Sequence, residues 1–121
     1  MVTELEGLRV LLVEDGMLVC MDIEDMLADL GCAVVGPASR VDQALELIRH
    51  QPVDMAVLDV NLGTECSYPI ADRLTALGVP FLLSTGYADV AAEYRTHSRL
   101  QKPFSQQQFA TALEALRHSG R

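Results

Sequence analysis

The stretch Val53-Asp54-Met55-Ala56-Val57-Leu58-Asp59, running on into Val60-Asn61-Leu62-Gly63, decides how this chain folds. Pro52 closes the preceding segment, apolar residues fill the run, and it ends on a carboxylate followed by turn residues. A short apolar run bounded in this way reads as a strand buried on both faces of a sheet. Working outward, three other strand signals also end on a reactive group. Residues 8–13 (Leu-Arg-Val-Leu-Leu-Val) lead to Glu14-Asp15, and residues 79–84 lead to Thr85. The short, polar residues 98–101 lead to Lys102-Pro103-Phe104.

Helical periodicity fills the intervals. Val19, Ile23, Met26, Leu27 and Leu30 share one face, and Gly31 closes that helix as its C′ residue. A second strand, residues 32–35, is expected to stop at Gly36-Pro37. Ser39-Arg40-Val41-Asp42 reads as a capping-box variant that opens a helix with Val41, Ala44, Leu45 and Ile48 inward. After a polar loop, residues 63–67, Tyr68-Pro69 opens a third helix with Ile70, Leu74 and Leu77 inward, closed by Gly78. Gly86 breaks the fourth strand, and residues 89–94 carry a short, weak helix signal. Ser105-Gln106-Gln107-Gln108 forms a second capping box, before a last helix that buries Phe109, Ala112, Leu113 and Leu116. Five strand-then-helix units predict an α/β fold with a parallel sheet and helices on both faces, because crossovers are right-handed. Ligands of such sheets bind beyond the carboxyl ends of the strands. Glu14-Asp15, Asp59, Thr85 and Lys102 all fall there.

Composition narrows the function classes. At 121 residues the chain is one domain by length, residues 1–121, with no output domain expected. Half of its residues are hydrophobic, which suits a packed core rather than a disordered chain. The net charge of -8, with no Lys/Arg cluster, argues against direct nucleic-acid binding. Acids occupy the N-terminus where a signal peptide carries basic residues, and no apolar run approaches the roughly 20 residues of a membrane span. Cys20, Cys32 and Cys66 form neither an even set nor a close metal-binding pair. They read as reduced, mostly core-lining thiols of a cytoplasmic protein.

The strand-end residues carry the chemistry. Glu14, Asp15 and Asp59 make a cluster of three carboxylates whose mutual repulsion a divalent ion relieves, and hard all-oxygen ligation suits Mg²⁺. Taken alone, Glu14-Asp15 reads rather as an acidic turn that caps the next helix, and Asp59 at the neighbouring strand end reverses that reading. A carboxylate can serve as a covalent nucleophile toward a phosphoryl group, with cationic groups neutralising the charge. Lys102 is the cation at hand, and Pro103 pins the backbone that aims it. Thr85 offers a hydroxyl to a phosphoryl oxygen, and Gly86 after it allows close approach. Asp59 is therefore the candidate phosphorylation site.

Glu14-Asp15, Asp59, Thr85 and Lys102-Pro103, in that order and spacing, resemble the residues of a response-regulator receiver domain over essentially the whole chain. The resemblance implies a flavodoxin-like (βα)5 fold with strand order 2-1-3-4-5. It implies that Asp59 takes a phosphoryl group from a sensor histidine kinase or phosphotransfer protein. Asp15, Asp59 and the backbone carbonyl of Asn61 would bind Mg²⁺, with Glu14 assisting. Signalling would pass to a downstream effector by protein contact, through a face spanning residues 85–104, with residues 89–99 as the two-state element. The chain would be a monomer or weak homodimer and no enzyme, beyond Mg-assisted self-phosphorylation and slow self-dephosphorylation.

Two departures stand out. Receivers carry an aromatic or His three residues before the Lys, and here that position is Arg99. Ser84-Thr85-Gly86-Tyr87 partly matches a Phe-Ala-Thr-Gly-x-Tyr-like subgroup, in which Tyr87 could replace the aromatic or simply be a surface residue. His50, His97 and His118 are expected at solvated loop or helix-end positions. Two other readings stay open: a small phosphatase with Asp59 as nucleophile, echoed loosely in Asp59-Val60-Asn61-Leu62-Gly63-Thr64, and an interaction domain that is not phosphorylated.

Overall fold

The computed structural model describes residues 5–86, 90–94 and 97–119. Five parallel strands form its centre: β1 (Arg9–Val13), β2 (Ala33–Ala38), β3 (Met55–Asp59), β4 (Phe81–Thr85) and β5 (Arg99–Gln101). They lie in the order β2-β1-β3-β4-β5, as the resemblance implies. Helices α1 (Met17–Asp29), α2 (Val41–His50), α3 (Tyr68–Leu77) and α4 (Gln106–Ser119) connect or follow them, and a 3₁₀ turn spans Ala92–Tyr94.

Alternation along the central strands feeds two cores. Leu11, Val13, Ala56, Leu58 and Leu83 face one way and pack on Ala44 of α2 and on Ile70, Ala71 and Leu74 of α3. Val10, Leu12, Met55, Val57 and Leu82 face the other way, against Ile23 and Leu27 of α1 and Phe109 and Leu113 of α4. Every residue of β3 and β4 is buried, including Asp59, Ser84 and Thr85 at their carboxyl ends. Each of the large apolar side chains among them contributes about 1.5–3 kcal/mol of transfer free energy, and together they fix the strand ends in place.

Gly31 and Gly78 close α1 and α3 as expected, and Ser105 and Gln108 form a reciprocal capping box: Gln108 N–H donates to Ser105 Oγ (3.1 Å) and Ser105 N–H to Gln108 Oε1 (2.8 Å). Leu77, expected inward at the end of α3, is instead 47% exposed in its last turn, and three further expectations fail. First, β2 does not stop at Gly36-Pro37 but runs on to Ala38. The register moves from Leu11↔Val35 to Val13↔Ala38, so β2 carries one extra residue, a bulge. Gly36 makes it possible with φ of +99°, where a Cβ would lie 3.0 Å from the Ala38 nitrogen. Pairing then resumes, and Glu14 N–H donates to Ala38 O (2.9 Å). Second, Ser39 does not cap α2. Arg40 holds the cap position without a side-chain bond, and Ser39 N–H and Oγ both donate to Gln43 Oε1. Third, the helix signal at 89–94 yields only the 3₁₀ turn at its end; Asp89 lies outside the described residues.

Candidate functional site

The carboxyl ends of the strands converge as the alternating pattern requires. Glu14 and Asp15 directly follow β1, Asp59 ends β3, Thr85 ends β4 and Lys102 directly follows β5. Carboxylate oxygens of Glu14, Asp15 and Asp59 lie within 4.8 Å of one another. An open cavity of about 670 Å³ is lined by Asp15, Asp59, Asn61, Thr85 and Lys102, and also by Glu65, Cys66 and Tyr68.

Burial sorts these groups. Glu14 and Asp59 keep only 5% and 6% of their surface, while Asp15 is exposed. Lys102 bridges the two buried acids, with Nζ 3.1 Å from Glu14 Oε1 and 3.4 Å from Asp59 Oδ1. The other Glu14 oxygen accepts Gly16 N–H at 3.0 Å. One ammonium therefore serves two carboxylates, and Asp59 receives the weaker share. Burial, and then the neighbouring Glu14 carboxylate, push Asp59 up to about 7, while Lys102 and the Asn61 N–H pull the other way. The described residues leave a negative charge at Asp59 under-compensated. That is the condition a cation relieves, and the donors available are all oxygen.

Backbone ties set the approach. Lys102 N–H donates to Thr85 O (2.7 Å), which fixes the end of β5 against the end of β4. The loop after Asp59 is self-braced: Asn61 and Cys66 form an antiparallel bridge, Leu62 N–H donates to Glu65 O, and Gly63 N–H donates to Asn61 Oδ1 (3.1 Å). The Asn61 side chain is thereby occupied within its own loop. Glu65 then reaches across to accept Val41 N–H at 3.0 Å, supplying α2 with the anionic cap that Ser39 does not provide.

The fold thus brings together Glu14, Asp15, Asp59, Asn61, Thr85 and Lys102. Arg99 does not join them; it lies exposed on β5. Tyr87 lies outside the described residues. Glu65, Tyr68 and Tyr94 were not readable as functional. Tyr68 looks like a helix-opening residue, yet it lines the cavity and its ring stacks on Tyr94. Among the histidines, His50 and His118 sit exposed near helix ends as expected. His97 instead is half-buried against Phe81, ring centroids 4.9 Å apart. Cys20 and Cys32 are buried and burial pushes both thiols up, whereas Cys66 is exposed and not core-lining.

The sequence profile of the response regulator receiver domain matches residues 10–114. The chain belongs to the response regulator receiver family. Receivers are signalling modules of two-component systems, and this one is similar to several described proteins. SdrG from Sphingomonas melonis Fr1 has a solution structure that superposes with a TM-score of 0.83 at 38% identity, covering 94% of this chain and 98% of that one. A solution structure of the BeF3-activated conformation of SdrG matches at 41% identity and a TM-score of 0.79, over 90% of this chain and 95% of that one. Transcriptional regulatory protein PdtaR of Mycobacterium tuberculosis is 30% identical over 115 residues, 88% of this chain and 55% of that protein. The receiver thus spans about half the length of the curated relative it matches. No helix among the described residues is long and apolar enough to cross a membrane.

Proposed function

We propose that this receiver is a phosphoacceptor in a two-component phosphorelay and that Asp59 takes the phosphoryl group. The observation that carries the reading is the pairing of a buried, under-compensated Asp59 with Lys102 at 3.4 Å, in a cavity shared with Thr85. Aspartate oxygen attacks the phosphorus of a phosphohistidine on a sensor kinase or phosphotransfer protein. The P–N bond breaks, and its electron pair leaves with the imidazole, which takes a proton. Lys102 Nζ neutralises charge on the transferring oxygens, and the Thr85 hydroxyl donates to one of them. Water later attacks the phosphorus, releases phosphate and restores Asp59.

The donor set fits Mg²⁺. Asp15, Asp59 and the carbonyl of Asn61 would hold it, with Glu14 assisting, and its charge would offset the repulsion among the carboxylates and phosphoryl oxygens. Glu14 is already committed to Lys102 and Gly16, so its part is to hold Lys102 in place. A downstream effector would read the phosphorylated state by contact with the face spanning residues 85–104.

The test is intact-mass analysis after incubation with Mg²⁺ and an acyl phosphate donor. A hydroxylamine-sensitive adduct of one phosphate on the wild type, absent from Asp59→Ala, is expected. An adduct of equal extent on Asp59→Ala would refute the assignment. Turnover of small phosphate esters without an adduct would favour the phosphatase reading instead.

A further inference from the structure

We infer that the stacked pair Tyr68–Tyr94 is the latch through which occupancy of the Asp59 cavity releases the segment 90–94, an inference that rests on the phosphoacceptor reading above. Tyr68 opens α3 and lines the same cavity as Asp59, Thr85 and Lys102. Its ring lies parallel to that of Tyr94, with centroids 4.0 Å apart and 2° between the planes. The two ring tips bond in opposite directions. Ala91 N–H donates to Tyr68 Oη at 3.0 Å, and Tyr94 Oη donates to Asp72 Oδ1 at 2.8 Å. α3 and the segment beyond β4 thus each supply one tyrosine, and α3 accepts both hydrogen bonds, at Tyr68 Oη and at Asp72 Oδ1.

This arrangement differs from an ordinary core contact. Aromatic pairs favour offset or edge-to-face geometry at larger separations, so near-parallel rings this close depend on something besides their own attraction. The two hydrogen bonds that the segment donates to α3 supply it, and losing one undermines the other and the stack together. The brace also has a defined place in the chain. Tyr68 follows the loop that leaves Asp59, and Tyr94 lies on the segment that leaves Thr85, so the pair cross-links the two exits from the cavity. On the far side, the His97 ring stands 6.0 Å from Tyr94 and 4.9 Å from Phe81 at the start of β4.

A phosphoryl group on Asp59 adds a bulky, doubly charged group to a cavity walled in part by Tyr68. Moving that ring drops the Ala91 bond and the stack in one step, and so weakens the hold of α3 on residues 91–94, which keep the Asp72 bond. A two-state element of this kind converts a small displacement at the site into release of a surface segment. Arg99, exposed on the edge strand, offers no ring for such a role.

The chain contains no Trp and three Tyr, so fluorine-labelled tyrosine reports the latch directly by NMR. Wild type, Tyr94→Phe and Tyr94→Ala are compared with and without Mg²⁺ and beryllofluoride, alongside amide exchange of residues 90–94 and adduct formation by mass. In the wild type the Tyr68 and Tyr94 resonances are expected to move together on activation, and exchange of 90–94 to accelerate roughly tenfold. Tyr94→Phe, which keeps the ring and loses the Asp72 bond, is expected to show part of that acceleration before activation. Tyr94→Ala is expected to accept phosphate to the wild-type extent while its exchange no longer responds. The latch is refuted if the wild type forms the adduct yet the two resonances stay fixed. A response in Tyr94→Ala as large as in the wild type refutes it equally. Failure of the wild type to form any adduct would overturn the phosphoacceptor reading, and the latch with it.

Discussion

The two loops that leave the site are held in opposite ways. The one after Asp59, residues 60–67, is braced mainly by its own backbone: Ser67 N–H donates to Val60 O, Leu62 N–H to Glu65 O, and Asn61 bridges Cys66. Among the described residues that follow Thr85, the long-range ties come from other elements: Ala91 N–H donates to Tyr68 Oη and Tyr94 Oη to Asp72 Oδ1 of α3, and Ser98 O accepts Leu83 N–H of β4. A loop that carries its own hydrogen bonds keeps its groups in place when its surroundings change. A loop held by borrowed side chains moves when those side chains do. The first kind suits the presentation of oxygen ligands proposed for Asn61, and the second suits the signal output proposed for the segment after Thr85.

Breaking the site between the loops gives the largest expected effect. Lys102→Met removes the cation that faces both Glu14 and Asp59, and adduct formation is expected to slow roughly a hundredfold in a timed mass assay, the scale of losing one charge-stabilising donor. Next comes the charge on Asp59. A carboxyl near 7 in the folded chain, against 3.8 for the free group, holds its proton more tightly folded than unfolded. Stability should then fall as pH rises from about 4 to about 7 and stay low above that. Asp59→Asn is expected to be more stable than the wild type by roughly 1–3 kcal/mol at pH 8 without cation, with the gain vanishing near pH 4, as read by urea unfolding. The same linkage makes Mg²⁺ displace a proton, so its affinity is expected to rise between about pH 5 and pH 7 and level off beyond. A flat Mg²⁺ affinity across that range would mean that Asp59 is already ionised.

Smaller changes test the contrast between the loops themselves. Glu65→Ala removes the anionic cap of α2 and is expected to cost about 1 kcal/mol, with Glu65→Gln recovering most of it. Because the loop is braced by its own backbone, Mg²⁺ affinity should drop only a few-fold; a collapse of binding would show that Glu65, not the loop, sets the geometry. Asp72→Asn weakens a single bond to Tyr94 and is expected to cost under about 1 kcal/mol, confined to faster exchange in 90–94.

Much of this was legible beforehand, for identifiable reasons. Val57 and Leu58 lie in a strand buried on both faces, and no other element type accommodates such a run so briefly before a carboxylate. Once the strands are parallel, convergence of Glu14, Asp59, Thr85 and Lys102 follows from topology rather than from any one motif. The Ser105–Gln108 box was readable because both partners lie within one turn. What escaped depended on distant partners. Glu65 caps a helix whose first residue is Val41, and no local pattern links them. Tyr68 and Tyr94 meet only because α3 packs beside the segment beyond β4. Pro37 misled for a different reason: a proline cannot donate to a ladder, but on an outer strand at a bulge it does not have to.

That outer position of Pro37 has a further consequence. A sheet exposes two rows of unpaired amides at its margins, and either row can recruit an extended peptide or a second sheet. Here one margin is interrupted by Gly36-Pro37, and the other is only three residues long with Arg99 and Gln101 exposed. Both margins are poor templates for strand addition. A partner that meets this protein is therefore expected to recognise side chains on its helices and loops rather than to extend its sheet.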